Sequence, residues 1–163
     1  MHEETCAMAA KIGHLEMLKW ARAKECSWDE ETCAMAAKNG HLEMLKWARA
    51  QECPWDKRTC EYAAKNGHLE MLKWARGRAG RRGGSPQVGE CPWDKRTCEA
   101  AAANGHLDVL KWARANGCPW CWLTCVQEFV DDLSPRTEPS YFPEVREWVE
   151  GQCRGEEDYF WAE

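Results

Sequence analysis

The chain has 163 residues, few enough for one domain, and carries 27 acidic against 22 basic side chains for a net charge of −5. From Val126 onward 11 acids face 3 bases, while the preceding body is mildly basic; this is no nucleic-acid footprint, which would want a strong basic stripe. No run approaches the roughly 18–20 apolar residues of a membrane span, and no N-terminal apolar stretch suits an export signal. The 11 cysteines, an odd number, are therefore expected as reduced thiols in a cytoplasmic or nuclear chain, not as a disulfide framework.

A fixed period organises what remains. Thr5, Thr32 and Thr59 are spaced by 27 residues, Thr97 and Thr124 again by 27, and the one irregular step, Thr59 to Thr97, is 38. Self-similarity of this kind marks a stacked array, in which each unit buries its apolar face on its neighbours. The spacing predicts units over 5–31, 32–58, 59–96 and 97–123, a degenerate capping unit over 124–153, and an acidic tail over 154–163. The first copy begins inside a unit: Glu3-Glu4-Thr5-Cys6 returns as Glu30-Glu31-Thr32-Cys33, but no Cys-Pro-Trp-Asp precedes it. Its N-terminal face is expected to lack the polar cap that arrays usually need.

Within each unit the Thr is the expected N-cap of a short helix, its hydroxyl accepting from a first-turn N–H. Cys-x-x-Ala-Ala follows, small enough for close packing, and Asn39-Gly40, Asn66-Gly67 and Asn104-Gly105 end the helix where Gly admits the left-handed conformation. A second helix is predicted to start at the following His. Leu15, Leu18 and Ala21 recur at helical spacing, with Met17 and Trp20 widening the apolar face. Glu16 and Lys19, three apart, pair on the outer side. Cys-Pro-Trp-Asp then turns the chain, since Pro cannot extend the helix and Asp bonds locally to the turn backbone.

The stretch Ala63-Ala64-Lys65-Asn66-Gly67-His68-Leu69-Glu70, with Thr59-Cys60 before it, resembles the core of an ankyrin repeat. The resemblance recurs four times between Thr5 and Trp122. It implies an all-α, ankyrin-type α-solenoid of stacked helix-turn-helix repeats, non-catalytic and acting as a protein–protein interaction scaffold. The family's period is about 33 residues; the six missing here fall where its β-hairpin fingers project. The fingers are therefore expected to be reduced or absent, and the concave face built from the first helices becomes the expected binding surface.

Three departures interrupt the pattern. Residues 77–87, rich in Gly, Arg, Ser and Pro, cannot bury a face and are expected as a flexible insertion. The fifth copy loses Asn-Gly-His after Thr124-Cys125, and Glu144 to Cys153 reads as a second helix shifted by one residue, with Pro143 at its start. The last ten residues read as an acidic tail, frayed or folded back on that helix.

Catalytic and metal-binding chemistry finds little footing. Cys26/Cys33, Cys53/Cys60, Cys91/Cys98 and Cys118/Cys125 stand seven positions apart, wider than the usual zinc pair, and the second Cys of each replaces a buried aliphatic residue. Cys118-x-x-Cys121-x-x-x-Cys125 is closer but shows no fourth ligand. A Cys-rich metal-binding or redox-responsive protein is the alternative reading. His14, His41, His68 and His106 repeat at one position, as packing residues do and catalytic ones do not. The sequence thus predicts no enzyme, no cofactor, no nucleic-acid or membrane partner, and a monomer that binds another protein. Recognition is sought where the copies differ: Glu30, Glu31, Met35, Lys57, Arg58, Glu61, Tyr62, Lys95, Arg96 and Glu99, which place acidic and Met-lined units before basic ones, with Tyr62 as an anchor.

Overall fold

The computed structural model describes residues 3–77, 90–121 and 142–160. Among these the chain is helical throughout, with no strand: α1 (Glu3–Ile12), α2 (Leu15–Ala23), α3 (Glu30–Lys38), α4 (Leu42–Ala50), α5 (Lys57–Lys65), α6 (Leu69–Ala75), α7 (Lys95–Ala103), α8 (Leu107–Ala115) and α9 (Pro143–Phe160). Odd helices up to α7 are the first of each unit, and α2, α4, α6 and α8 fold back on them. The first helices pack α1 on α3 on α5 on α7 in one continuous layer. This is an all-α repeat solenoid. Residues 24–29 and 51–56 cross between units as plain turns where a finger would stand.

Small residues permit that layer. Ala9 and Ala10, Ala36 and Ala37, Ala63 and Ala64, and Ala101 and Ala102 are all buried. Each second helix contributes one fully enclosed Leu at the same place: Leu18, Leu45, Leu72 and Leu110. Burying such a side chain stabilises by about 1.5–3 kcal/mol.

The helix starts differ from expectation. Asp29, Asp56 and Asp94, not the threonines, are the N-caps of α3, α5 and α7, each accepting from the backbone N–H two residues on. An extended backbone at Asp presents its carboxylate to that N–H, which leaves Thr32, Thr59 and Thr97 inside the first turn and fully buried. The second helices begin one residue after the His, which is itself the N-cap but makes no side-chain capping bond.

The rings of His41, His68 and His106 instead lie across the unit boundary. A Cβ on Gly13, at φ +86°, would stand 2.6 Å from the His41 ring, and one on Gly40, at φ +76°, 2.8 Å from that of His68. Only glycine satisfies both the left-handed backbone and the approaching ring. His106 covers Gly67 in the same way, and Phe142 covers Gly105. Phe142 therefore holds the histidine's place in the last unit. Val145 and Trp148 likewise fall where Val109 and Trp112 fall, so the last unit's second helix is in register, not shifted by one residue. Helix α9 then continues past residue 153 to Phe160, across the point where the acidic tail was expected to begin. The start of the fifth unit, residues 78–87 of the insertion, and residues 161–163 lie outside the described residues.

Candidate functional site

Two sets of side chains must be separated before any surface can be assigned: those that hold unit to unit and those left facing outward. The tryptophans belong to the first set. Each turn Trp meets the Trp of the next second helix: Trp28–Trp47, Trp55–Trp74 and Trp93–Trp112 edge-on at 5.9 Å, and Trp120–Trp148 tilted at 6.0 Å. On the other side an arginine closes the stack. Arg22, Arg49, Arg76 and Arg114 place their guanidinium groups 4.1–4.3 Å from the ring centroids of Trp28, Trp55, Trp93 and Trp120. Three of these arginines donate to the turn carbonyl, Arg22 to Cys26 O at 2.6 Å, Arg76 to Cys91 O at 2.7 Å, and Arg49 to Cys53 O. One guanidinium thus satisfies a turn carbonyl and lies on an aromatic face. The repeated Leu-Lys-Trp-Ala-Arg carried this signal, but the arginine's role needs the turn's geometry to be seen.

The thiols are part of the packing too. The nine cysteines from Cys6 to Cys121 are free thiols, buried except for half-buried Cys121. Those that meet lie within one unit, Cys6 with Cys26, Cys33 with Cys53, Cys60 with Cys91 and Cys98 with Cys118. Burial, followed by the Cys26 contact, pushes Cys6 up to about 12. For Cys53 and Cys60 the partner thiol first and burial second push the same way, so these are neutral side chains at physiological pH. Cys53, Cys91 and Cys118 point their sulfurs at the carbonyls of Asp29, Asp56 and Asp94, 3.4–3.6 Å away. Among the described residues no group of three or more His, Cys, Asp or Glu is placed to hold a metal ion.

The second set is the row predicted from the differences between copies. Glu30 and Glu31, Lys57 and Arg58, and Lys95 and Arg96 open α3, α5 and α7, so they recur along the layer of first helices. Several of them face one another. Arg58 bridges to Glu31 of the preceding unit at 2.8 Å and to Asp56 at 2.8 Å; the Asp56 bond first, with Glu31 beside it, holds the guanidinium's pKa above its ordinary value. Lys57 reaches forward to Asp94 at 2.9 Å. Lys95 pairs with Glu99 at 3.8 Å within α7. Lys38 sits 5.9 Å from the centroid of the half-buried Tyr62 ring. Met35 packs against the core. Glu30 and Glu61 are partly exposed and Arg96 is exposed. Part of the variation along this row has a local reason: the acid Glu31 of one unit answers the base Arg58 of the next.

Comparison with known proteins gives a family for part of this architecture. Residues 32–76, spanning α3 to α6, match the family model described as ankyrin repeats (many copies). No curated protein matches the chain. No helix among the described residues is long and apolar enough to cross a membrane.

Proposed function

The chain belongs to the ankyrin-repeat family, and from that premise we propose that it is a non-catalytic interaction module whose first-helix face binds a protein partner. Ankyrin repeats are in general protein–protein interaction modules. The observation that carries the proposal is the row just described. Across three consecutive units, the positions that depart from the shared pattern lie at the starts of α3, α5 and α7 on one layer, while the shared positions are consumed by packing. Such a row runs from acidic at Glu30 and Glu31 to basic at Lys95 and Arg96, and fits an extended partner segment whose charges run the opposite way. Tyr62 stands midway as its aromatic anchor.

The test separates recognition from stacking. Arg58 and Lys57 are bound up in pairs between units, so charge reversal there disturbs the stack as well as the surface. Arg96→Glu with Glu30→Lys, and separately Tyr62→Ala, alter the row with less internal loss. Partners captured by the wild-type chain should be lost or weakened about tenfold with each variant at unchanged helicity. An unchanged partner set would remove the first-helix face from consideration.

A further inference from the structure

Packing asks of each buried cysteine position only a small apolar side chain. It does not ask for two sulfurs to meet. Yet in each of the first four units the fourth residue of the first helix meets a cysteine of the closing turn. Cys33 Sγ lies 3.9 Å from the carbonyl oxygen of Cys53, and Cys60 Sγ lies 4.0 Å from that of Cys91. All eight side chains of the four pairs are at most 1% exposed. A structural zinc would need four converging ligands, which the described residues do not gather around them. Two adjoining thiols need only an oxidant that accepts two electrons to become a disulfide.

We propose that each pair is a redox latch: hydrogen peroxide converts it to one disulfide that fastens the start of a unit's first helix to the turn ending its second. One sulfur, as thiolate, attacks the peroxide and the O–O bond breaks. A sulfenic acid forms, and the departing hydroxide takes up the thiol's proton to leave as water. The partner sulfur then attacks the sulfenic sulfur, the S–O bond breaks, and a second water leaves with the partner's proton. One peroxide is reduced to two waters, and two thiols are oxidised to one disulfide. Burial favours the neutral thiol, so the first attack waits until the closing turn lifts, and the fold selects the partner when the turn settles back. The bond spans 20 residues in the first, second and fourth units and 31 in the third, whose insertion lies within the closed loop. It runs inside a unit, so it secures each unit without tying one to the next. The latch uses no residue of the first-helix row and stands apart from the partner proposed there.

The reduced full chain is treated in its folded state with hydrogen peroxide until the exposed Met17 has become the sulfoxide, and the disulfides are mapped by mass spectrometry. Cys33–Cys53, Cys60–Cys91 and their counterparts in the first and fourth units should be found. The same treatment in urea gives the reference. There the nearest cysteines in sequence should pair instead, Cys26 with Cys33 and Cys53 with Cys60. The chain oxidised while folded should unfold at higher urea than the reduced chain, because the cross-links restrict its unfolded state. Dithiothreitol should return it to the reduced midpoint. Pairs that stay reduced beside oxidised Met17 overturn the proposal. So does pairing in the folded chain no different from that in urea, or a midpoint that oxidation leaves unchanged or lowers.

Discussion

The interior of the stack and the row along its first helices obey opposite rules. Inside, Leu45 and Leu72, Ala37 and Ala64, and the Trp28–Trp47 and Trp55–Trp74 pairs are the same residues at the same places, because a translated interface asks the same of every unit. Along the row the residues differ between units: Glu31 of one meets Arg58 of the next, and Lys57 reaches forward to the capping Asp94. Identity is the solution for packing, and complementarity is the solution for charge. A variable position in a repeat is therefore not automatically a ligand contact; half of this row is spoken for by its neighbours.

The interior half of the comparison gives the largest effects. Leu45→Ala and Leu72→Ala each empty a fully enclosed site and should cost about 2–5 kcal/mol by chemical denaturation. If translation governs the interior, the two losses should agree closely; a wide difference would break the equivalence of units. Next comes Asp94, which caps α7 through the Arg96 N–H and pairs with Lys57. Asp94→Ala should lose about 1 kcal/mol. Burial alone would raise the carboxyl's pKa, but the Lys57 bond and the Arg96 N–H outweigh it and hold it below its ordinary 3.8. Its contribution is therefore complete above that value and disappears as pH falls through the lowered one. Acid titration of thermal stability below about pH 4 should show a smaller loss in Asp94→Asn than in wild type.

Glu52→Gly tests a position that neither rule covers. Glu25 and Glu52 hold left-handed backbones, φ +57° and +62°, where the third and fourth units have Gly77 and Gly117 at +71° and +80°. Relief of that strain should raise stability by up to about 1 kcal/mol, and no gain would mean that the glutamate's own contacts offset it. The smallest effect belongs to the row. A double-mutant cycle on Glu31 and Arg58, both partly exposed, should return a coupling of about 0.2–1 kcal/mol. A value near zero would return both residues to the partner surface.

Much of this architecture was legible from spacing alone. The period of 27, the Asn-Gly stops and the apolar stripes located eight of the helices and their order, because each is a local or translational signal. The caps were misplaced by three residues because Asp and Thr are both good capping residues, and only the backbone conformation at Asp29 decides between them. In the last unit Phe142 could not be equated with a histidine by chemistry; the ring over Gly105 makes the equivalence steric. The candidate row was legible as a set of differences. Its internal pairing was not, since Glu31 and Arg58 meet only once the units are stacked.

The turn closing the third unit has a consequence for how the gene can vary. Gly77 completes the helix end as Gly117 does, Cys91 N–H still donates to Ala75 O at 2.9 Å, and Arg76 still reaches Cys91 O. Eleven additional residues thus enter and leave at a joint whose two sides are already fastened, at an added loop-closure cost of about 1 kcal/mol. Such a joint is a seam: a place where sequence can be spliced in, or the backbone nicked, while the layers on either side keep their register.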